Sequence, residues 1–319
     1  MFWPIKRNNC SLKRFTQRFI KRRVAVPAVS PGSRSALEPT AADNASNSDI
    51  LKQALLELNS LVGLDNVKEI IYEIKAFSEI QHQRAKEGLT NEPLVLHMIF
   101  KGNPGSGKTT VARILASIFN GLGILSQGHI IEVERADLVG EYIGHTAIKT
   151  REYVKRALGG ILFVDEAYSL ARGGNKDFGK ESIDCLVKSM EDYRDDLILV
   201  LAGYRDEMDY FLLSNPGLKS RFPIHVDFPD YSIKELLEIA DLFLTKRDYY
   251  LSANAREELR QQLVAMHNYQ HSGNARLVRN LIERSIRRQA IRLAGQRFLT
   301  RTELMLIKAQ DVKGVRCNC

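Results

Sequence analysis

Residues 102–110 of this 319-residue chain read Gly-Asn-Pro-Gly-Ser-Gly-Lys-Thr-Thr. Gly102, Gly107, Lys108 and Thr109 stand at the spacing G-x-x-x-x-G-K-T, and the residue types define a chemistry. Glycines lack a Cβ, so successive backbone N–H groups can turn inward and form a nest for anionic oxygens. A helix starting at the end of the loop adds the positive end of its dipole. The ligand of such a loop is a polyphosphate, cradled by Gly102, Asn103, Pro104, Gly105, Ser106, Gly107 and Thr110. Lys108 would reach the β- and γ-phosphates, and the Thr109 hydroxyl would sit on Mg²⁺. The same string could be a glycine-rich turn with an exposed lysine, and its surroundings argue otherwise. An apolar run, Leu94 to Phe100, enters the loop, and Val111, Ile114, Leu115 and Ile118 leave it at helical spacing.

A second constellation follows 57 residues after Lys108, where Ile161-Leu162-Phe163-Val164 ends in Asp165-Glu166. Alone, an apolar strand closed by two acids describes any strand end meeting solvent. Downstream of a P-loop it reads as a Walker B pair, with Asp165 in the Mg²⁺ shell and Glu166 polarising the attacking water.

These residues need a scaffold. Five buried-strand candidates alternate with helices: Leu94–Phe100, His129–Val133, Ile161–Val164, Leu197–Ala202 and Ile224–Phe228. Such alternation predicts an α/β fold, a parallel five-stranded sheet flanked by helices on both faces. Two helices precede the sheet, one carrying Leu51, Leu55, Leu56 and Leu58, the other Val67, Ile70, Ile71, Ile74 and Phe77. After Pro229 the pattern becomes all-helical. Ser232-x-x-Glu235 is a capping box opening a helix with Ile233, Leu236, Leu237, Ala240 and Phe243 on one side. A helix near 274–293 buries Leu277, Leu281, Ile282 and Ile286, and Thr300-x-x-Glu303 caps another. The expected division is 1–48 basic arm and disordered linker, 49–229 α/β domain with its N-terminal helices, 230–310 small helical domain, and 311–319 tail.

The net charge of +8 is concentrated in residues 1–37, which hold nine Lys or Arg and no acid. The remainder carries 37 basic against 38 acidic residues, so bulk charge gives the folded body no argument for binding nucleic acid. The arm reads as a solvated segment, with a short basic amphipathic helix on an anionic surface as the alternative. Cys10, Cys185, Cys317 and Cys319 lack the spacing of a zinc site or disulfide framework. No uncharged apolar run approaches the roughly 18–20 residues that span a bilayer. Together these predict a soluble, cytoplasmic protein.

The chain resembles an AAA+ ATPase, and within that family a group of sporulation ATPases similar to the red-type Rubisco activases. The match is carried by Leu61-Val62-Gly63-Leu64, the P-loop, Glu134 to Thr146, Asp165-Glu166-Ala167-Tyr168-Ser169-Leu170, Leu201-Ala202-Gly203-Tyr204, Asn215-Pro216-Gly217 with Ser220-Arg221-Phe222, and Asn274-Ala275-Arg276. It spans about residue 50 to 310. The resemblance implies ATP with Mg²⁺, a homo-hexameric ring with nucleotide between subunits, a helical lid from residue 230 and an unknown protein client. Val62 and Gly63 would line the adenine pocket; a plain helix–turn–helix connection is the alternative. Arg221 would be an arginine finger acting on the neighbouring subunit, or else a surface arginine before a strand. Arg276 would be sensor 2, with Arg279 able to share that work and Arg284, Arg287, Arg288 and Arg292 forming a solvated face. Tyr142-Ile143-Gly144 has the aromatic–hydrophobic–glycine form of a pore loop, and residues 172–180 lie where a second such loop would run. At the end of the fourth strand the general pattern has Asn or Thr as sensor 1, where this chain has Ala202-Gly203-Tyr204. The function implied is remodelling of a protein client through the pore, in sporulation. The rivals are a Rubisco activase and a DNA-dependent or clamp-loader-like ATPase.

Overall fold

The structure, a computed structural model, describes residues 41–90, 95–142, 144–172, 178–267 and 273–313. The basic arm, Ile143, Gly173 to Asp177 and the three cysteines at 10, 317 and 319 lie outside the described residues.

The chain opens with α1 (Ala41–Ser60) and α2 (Asp65–Lys86), then enters β1 (Met98–Gly102) and α3 (Lys108–Gly121). β2 (Ile130–Val133), α4 (Arg135–Leu138), α5 (His145–Ala157) and β3 (Gly160–Val164) follow. A 3₁₀ turn (Ala167–Ala171), α6 (Gly179–Asp192), β4 (Leu197–Gly203), α7 (Arg205–Ser214), α8 (Pro216–Arg221) and β5 (Ile224–Phe228) complete the α/β part. The strand order is β2-β3-β4-β1-β5, and every pairing is parallel.

Period-two alternation sorts the strands into two faces. Phe100, Phe163, Val200 and Ala202 pack beneath α1–α3, while Ile99, Leu162, Val164 and Leu199 face α5–α8. Both faces are covered, so β3 and β4 are buried at every position, as a central parallel strand requires. The first strand differs from expectation: its ladder begins only at Met98 and runs to Gly102. Just before it, the His97 side chain takes a ladder role, its Nδ1 accepting from the Leu199 N–H at 3.1 Å. The helical stripes are also narrower than the leucine pattern implied. Leu58, Val67, Ile71 and Ile74 are buried, whereas Leu56 and Phe77 point to solvent.

The helical part comprises α9 (Ile233–Thr245), β6 (Tyr250–Leu251), α10 (Ala253–His267), α11 (Asn274–Leu293), α12 (Arg301–Met305), β7 (Leu306–Ile307) and α13 (Ala309–Val312). Both capping boxes form: the Ser232 hydroxyl accepts from Glu235 N and the Thr300 hydroxyl from Glu303 N. Arg292 corrects the solvated-face reading. It makes a two-pronged ion pair with Asp311, Nε to Oδ1 at 2.9 Å and Nη2 to Oδ2 at 2.8 Å, and Asp311 is only 2% exposed. A buried carboxylate needs such a partner. The bridge ties α13 to α11, and Val312 at the end of α13 is buried. Among the described residues, no helix is long and apolar enough to cross a membrane.

Candidate nucleotide site

β1 ends at Gly102 and α3 begins at Lys108, so the five residues between them form the loop at the C-terminal edge of the sheet. β3, two strands away, delivers Asp165 and Glu166 to the same edge. Adjacent strands lie ~4.8 Å apart, which sets the two strand ends within about 10 Å. The electrostatics of Lys108 record the convergence. Burial pulls its ammonium below the ordinary lysine value; Asp165 opposes this, Arg276 adds to it, and Asp230 and Glu166 oppose it. Five charged groups from four separate stretches of sequence thus meet at one place. Lys108 Nζ donates to the carbonyls of Gly102 at 2.7 Å and Asn103 at 2.9 Å.

Glu166 occupies left-handed backbone, φ 46° and ψ 42°. That conformation costs a residue with a Cβ about 1–2 kcal/mol. Its N–H donates to Asp165 Oδ1 at 2.9 Å, which holds the two acids in a fixed relation. Glu166 is exposed and Asp165 half-buried, so the outer acid is free to meet solvent while the inner one is anchored.

The loop glycines are required by what lies outside the loop. A Cβ on Gly105 would sit 2.4 Å from the Gly273 carbonyl and 2.9 Å from Arg276 N, at the start of α11. Ala275 N donates to Gly105 O at 3.2 Å, so the first turn of α11 rests on the P-loop. This contact places Arg276, itself exposed, beside the loop. Arg279 is held elsewhere, its guanidinium 5.4 Å from the centre of the Phe243 ring, and so is not brought to the loop.

Next to the loop, Ser60, Leu61, Val62 and Gly63 form one wall of a cleft of about 470 Å³, and Glu238, Asp241, Leu242 and Thr245 of α9 form the other. Leu64 and Tyr231 join it to the phosphate loop, since both lie against Gly107. Its mixed apolar and polar lining suits a planar base. Another cavity, of about 280 Å³, lies among Phe77, Leu96, Leu122 and Arg194 and contains none of the site residues.

At the end of β4, a Cβ on Gly203 would meet the Tyr168 ring at 2.6 Å and the Met208 side chain at 2.9 Å, so the position has room for glycine alone. Tyr168 stacks with Tyr204 at 5.8 Å and carries Arg172 over its face at 4.7 Å. Burial raises the Tyr168 phenol well above its ordinary value, so it stays protonated.

Arg221 is not part of this cluster. It ends α8 and precedes β5, whose first residue, Ile224, pairs with Met98, the first of β1. It therefore lies at the N-terminal edge of the parallel sheet, while the P-loop leaves the opposite edge. Five strand residues at ~3.3 Å each separate the two edges by at least about 16 Å. Arg221 is partly exposed, with Nε donating to Glu191 Oε1 at 3.2 Å and Nη1 to Gly217 O at 3.0 Å. Tyr142 is 66% exposed on the α4–α5 connection, its ring edge-on to His145 at 5.4 Å, and Gly144 is the N-cap residue just before α5.

Asp230 and Asn274 also belong to the site, beyond the residues that local spacing singles out. Asn103 Nδ2 donates to both Asp230 oxygens, at 3.0 and 2.9 Å, and Asn274 Nδ2 donates to Asp230 Oδ1 at 2.6 Å. The available signal was an acid directly after Pro229 at the change from α/β to helical pattern.

A parallel sheet with a phosphate loop at the end of one strand and an acid pair two strands away defines a P-loop nucleoside triphosphatase. The chain belongs to the ATPase family associated with various cellular activities (AAA): that family's model matches residues 98–230, and its lid-domain model matches 232–316. It is an ATPase. It is 54% identical over 273 residues to Stage V sporulation protein K of Bacillus subtilis, covering 84% of each chain. It is 46% identical to Protein CbbX of Cereibacter sphaeroides, over 83% of this chain and 87% of the relative. It is also 46% identical to the chloroplastic ribulose bisphosphate carboxylase/oxygenase activase of Cyanidioschyzon merolae, over 79% and 87%. Among solved structures, a mutant of Thermotoga maritima RuvB matches with a TM-score of 0.51 at 24% identity, over 80% of this chain and 70% of that one. At that identity the likeness speaks for the fold alone.

Proposed function

We propose that this ATPase works as a ring of identical subunits, a hexamer, that uses Mg-ATP hydrolysis to remodel a protein client drawn through a central pore. The observation that carries the ring is the position of Arg221. An arginine finger must reach the γ-phosphate, and Arg221 sits at the sheet edge remote from its own P-loop. As a finger it would serve a neighbour's site.

In this reading, the backbone of Gly102 to Thr110 holds the phosphates and Lys108 leaves its carbonyl partners to meet the β- and γ-oxygens. The Val62–Gly63 cleft takes the adenine. Thr109 and Asp165 would hold Mg²⁺, which neutralises phosphate charge. Glu166 orients the attacking water, and Arg276 reports phosphate state to the lid. Tyr142 offers an exposed aromatic on a connecting loop, able to grip an extended peptide by apolar contact without reading its sequence. Its neighbour Ile143 lies outside the described residues.

A mixing experiment tests the shared site. Subunits carrying Arg221→Ala keep a P-loop, and subunits carrying Lys108→Ala keep a finger. Each alone should be nearly inactive, and mixing them should restore measurable turnover at the interfaces that combine both intact halves. No recovery on mixing would remove the shared-site reading. Tyr142→Ala should retain most basal ATPase and lose remodelling.

The client belongs to the sporulation programme on the strength of the likeness to Stage V sporulation protein K. The 46% identity to a Rubisco activase supports a second reading, which predicts stimulation of turnover by a sugar bisphosphate. A DNA-dependent ATPase finds less support, because the residues after the arm are close to electroneutral.

A further inference from the structure

The P-loop carbonyls are individually occupied, and three of the donors come from outside the loop. Pro104 O accepts from Asn274 Nδ2 at 3.4 Å, Gly105 O from Ala275 N at 3.2 Å, and Ser106 O from the Tyr231 hydroxyl at 3.1 Å. These donors belong to the start of α11 and to the residue just before the α9 cap. In a planar trans peptide, C=O and N–H point in opposite directions. Pinning the carbonyls of 104 and 106 toward the lid therefore turns the N–H groups of Gly105 and Gly107 the other way, into the nest.

The donors are themselves held. Asn274 is fully buried, in left-handed backbone at φ 44°, and its Oδ1 accepts from Tyr231 N at 3.1 Å. Asp230 accepts from both Asn274 and Asn103, so one carboxylate ties the lid and the loop together. A buried asparagine in strained backbone persists only where its surroundings determine it.

We propose that Asn274 and Tyr231 are positioning residues that orient the P-loop amides, so that the lid builds the phosphate nest as well as sensing what occupies it. The proposal rests on the reading of the loop as the phosphate site. Its consequence is specific to phosphate: without these donors the loop peptides can rotate, and affinity falls for ligands that use the amides.

The test uses the full chain with Tyr231→Phe, which removes one hydroxyl, and Asn274→Gly, which removes the side chain and tolerates the positive φ. Affinities for a fluorescent ADP and for adenosine are measured on each. Losing one such hydrogen bond should weaken ADP binding about tenfold, with adenosine binding unchanged. The idea is overturned if both variants bind ADP like the parent, or if adenosine binding falls in step with ADP. Absence of ADP binding in the parent protein would instead refute the phosphate-site reading itself.

Discussion

The two edges of the central sheet are built differently. At the C-terminal edge, the P-loop is held by Lys108, Tyr231, Asn274 and Ala275 within one chain, and Asp165 is bonded to Glu166 beside it. At the N-terminal edge, Arg221 is partly exposed, anchored to Glu191 and to the Gly217 carbonyl of its own helix. One edge is organised before any ligand arrives; the other presents a partly exposed cation on a short helix. Preorganisation serves a binding site, and a partly exposed charge suits the role proposed for Arg221 at a neighbour's site.

The largest effect should come from breaking the N-terminal edge. Arg221→Ala in every subunit should lower turnover by about 10³-fold or more, roughly 4 kcal/mol of transition-state stabilisation, with nucleotide affinity little changed. Steady-state ATPase beside ADP titration checks it; a comparable loss of affinity would mean the two edges are not separate.

Next in size is Asp311→Ala, which leaves the Arg292 guanidinium, 15% exposed, without its carboxylate. Removing one partner of a buried pair costs ~3 kcal/mol or more. Urea unfolding should show that loss, and because α13 and α11 hold the lid together, nucleotide affinity should fall with it.

His97 sharpens the comparison through pH. Its ring lies at the N-terminal edge, 6.0 Å from the Phe222 ring, and burial pushes its pKa down to about 4, against opposing contributions from the Met190 backbone and Glu191. The neutral ring is the form that accepts from Leu199 N–H. The unfolded chain binds the extra proton first, so stability is full above about pH 6.5 and declines toward pH 4, by up to about 3 kcal/mol. Urea midpoints across that window should fall less in His97→Gln than in the parent.

The smallest effect is expected from Glu191→Gln, which weakens the hold on a partly exposed arginine. Stability should change by about 1 kcal/mol or less. On the proposed finger role, turnover should hold steady or rise because Arg221 is released; a large loss would count against that role.

Much of this was legible in the residues. Strand identity followed from short apolar runs between helical stripes, and both Ser232/Glu235 and Thr300/Glu303 boxes formed where their spacing placed them. Errors came where a partner lay far along the chain. Arg292 reads as one more exposed lid arginine until α13 folds back and Asp311 meets it. Gly203 reads as a departure from a motif until Tyr168, from another turn, leaves no room for a Cβ.

The sequence by itself determined the local chemistry: a glycine loop ending in Lys108 and Thr109, an acid pair closing an apolar strand, and caps that start helices. Each depends on residues within a few positions of one another, so local spacing is enough. Tertiary structure alone decided that Asp230 and Asn274 clamp the P-loop from the lid, and that Arg221 faces away from it. Those facts depend on strand order and on the closing of long loops, which no local spacing encodes.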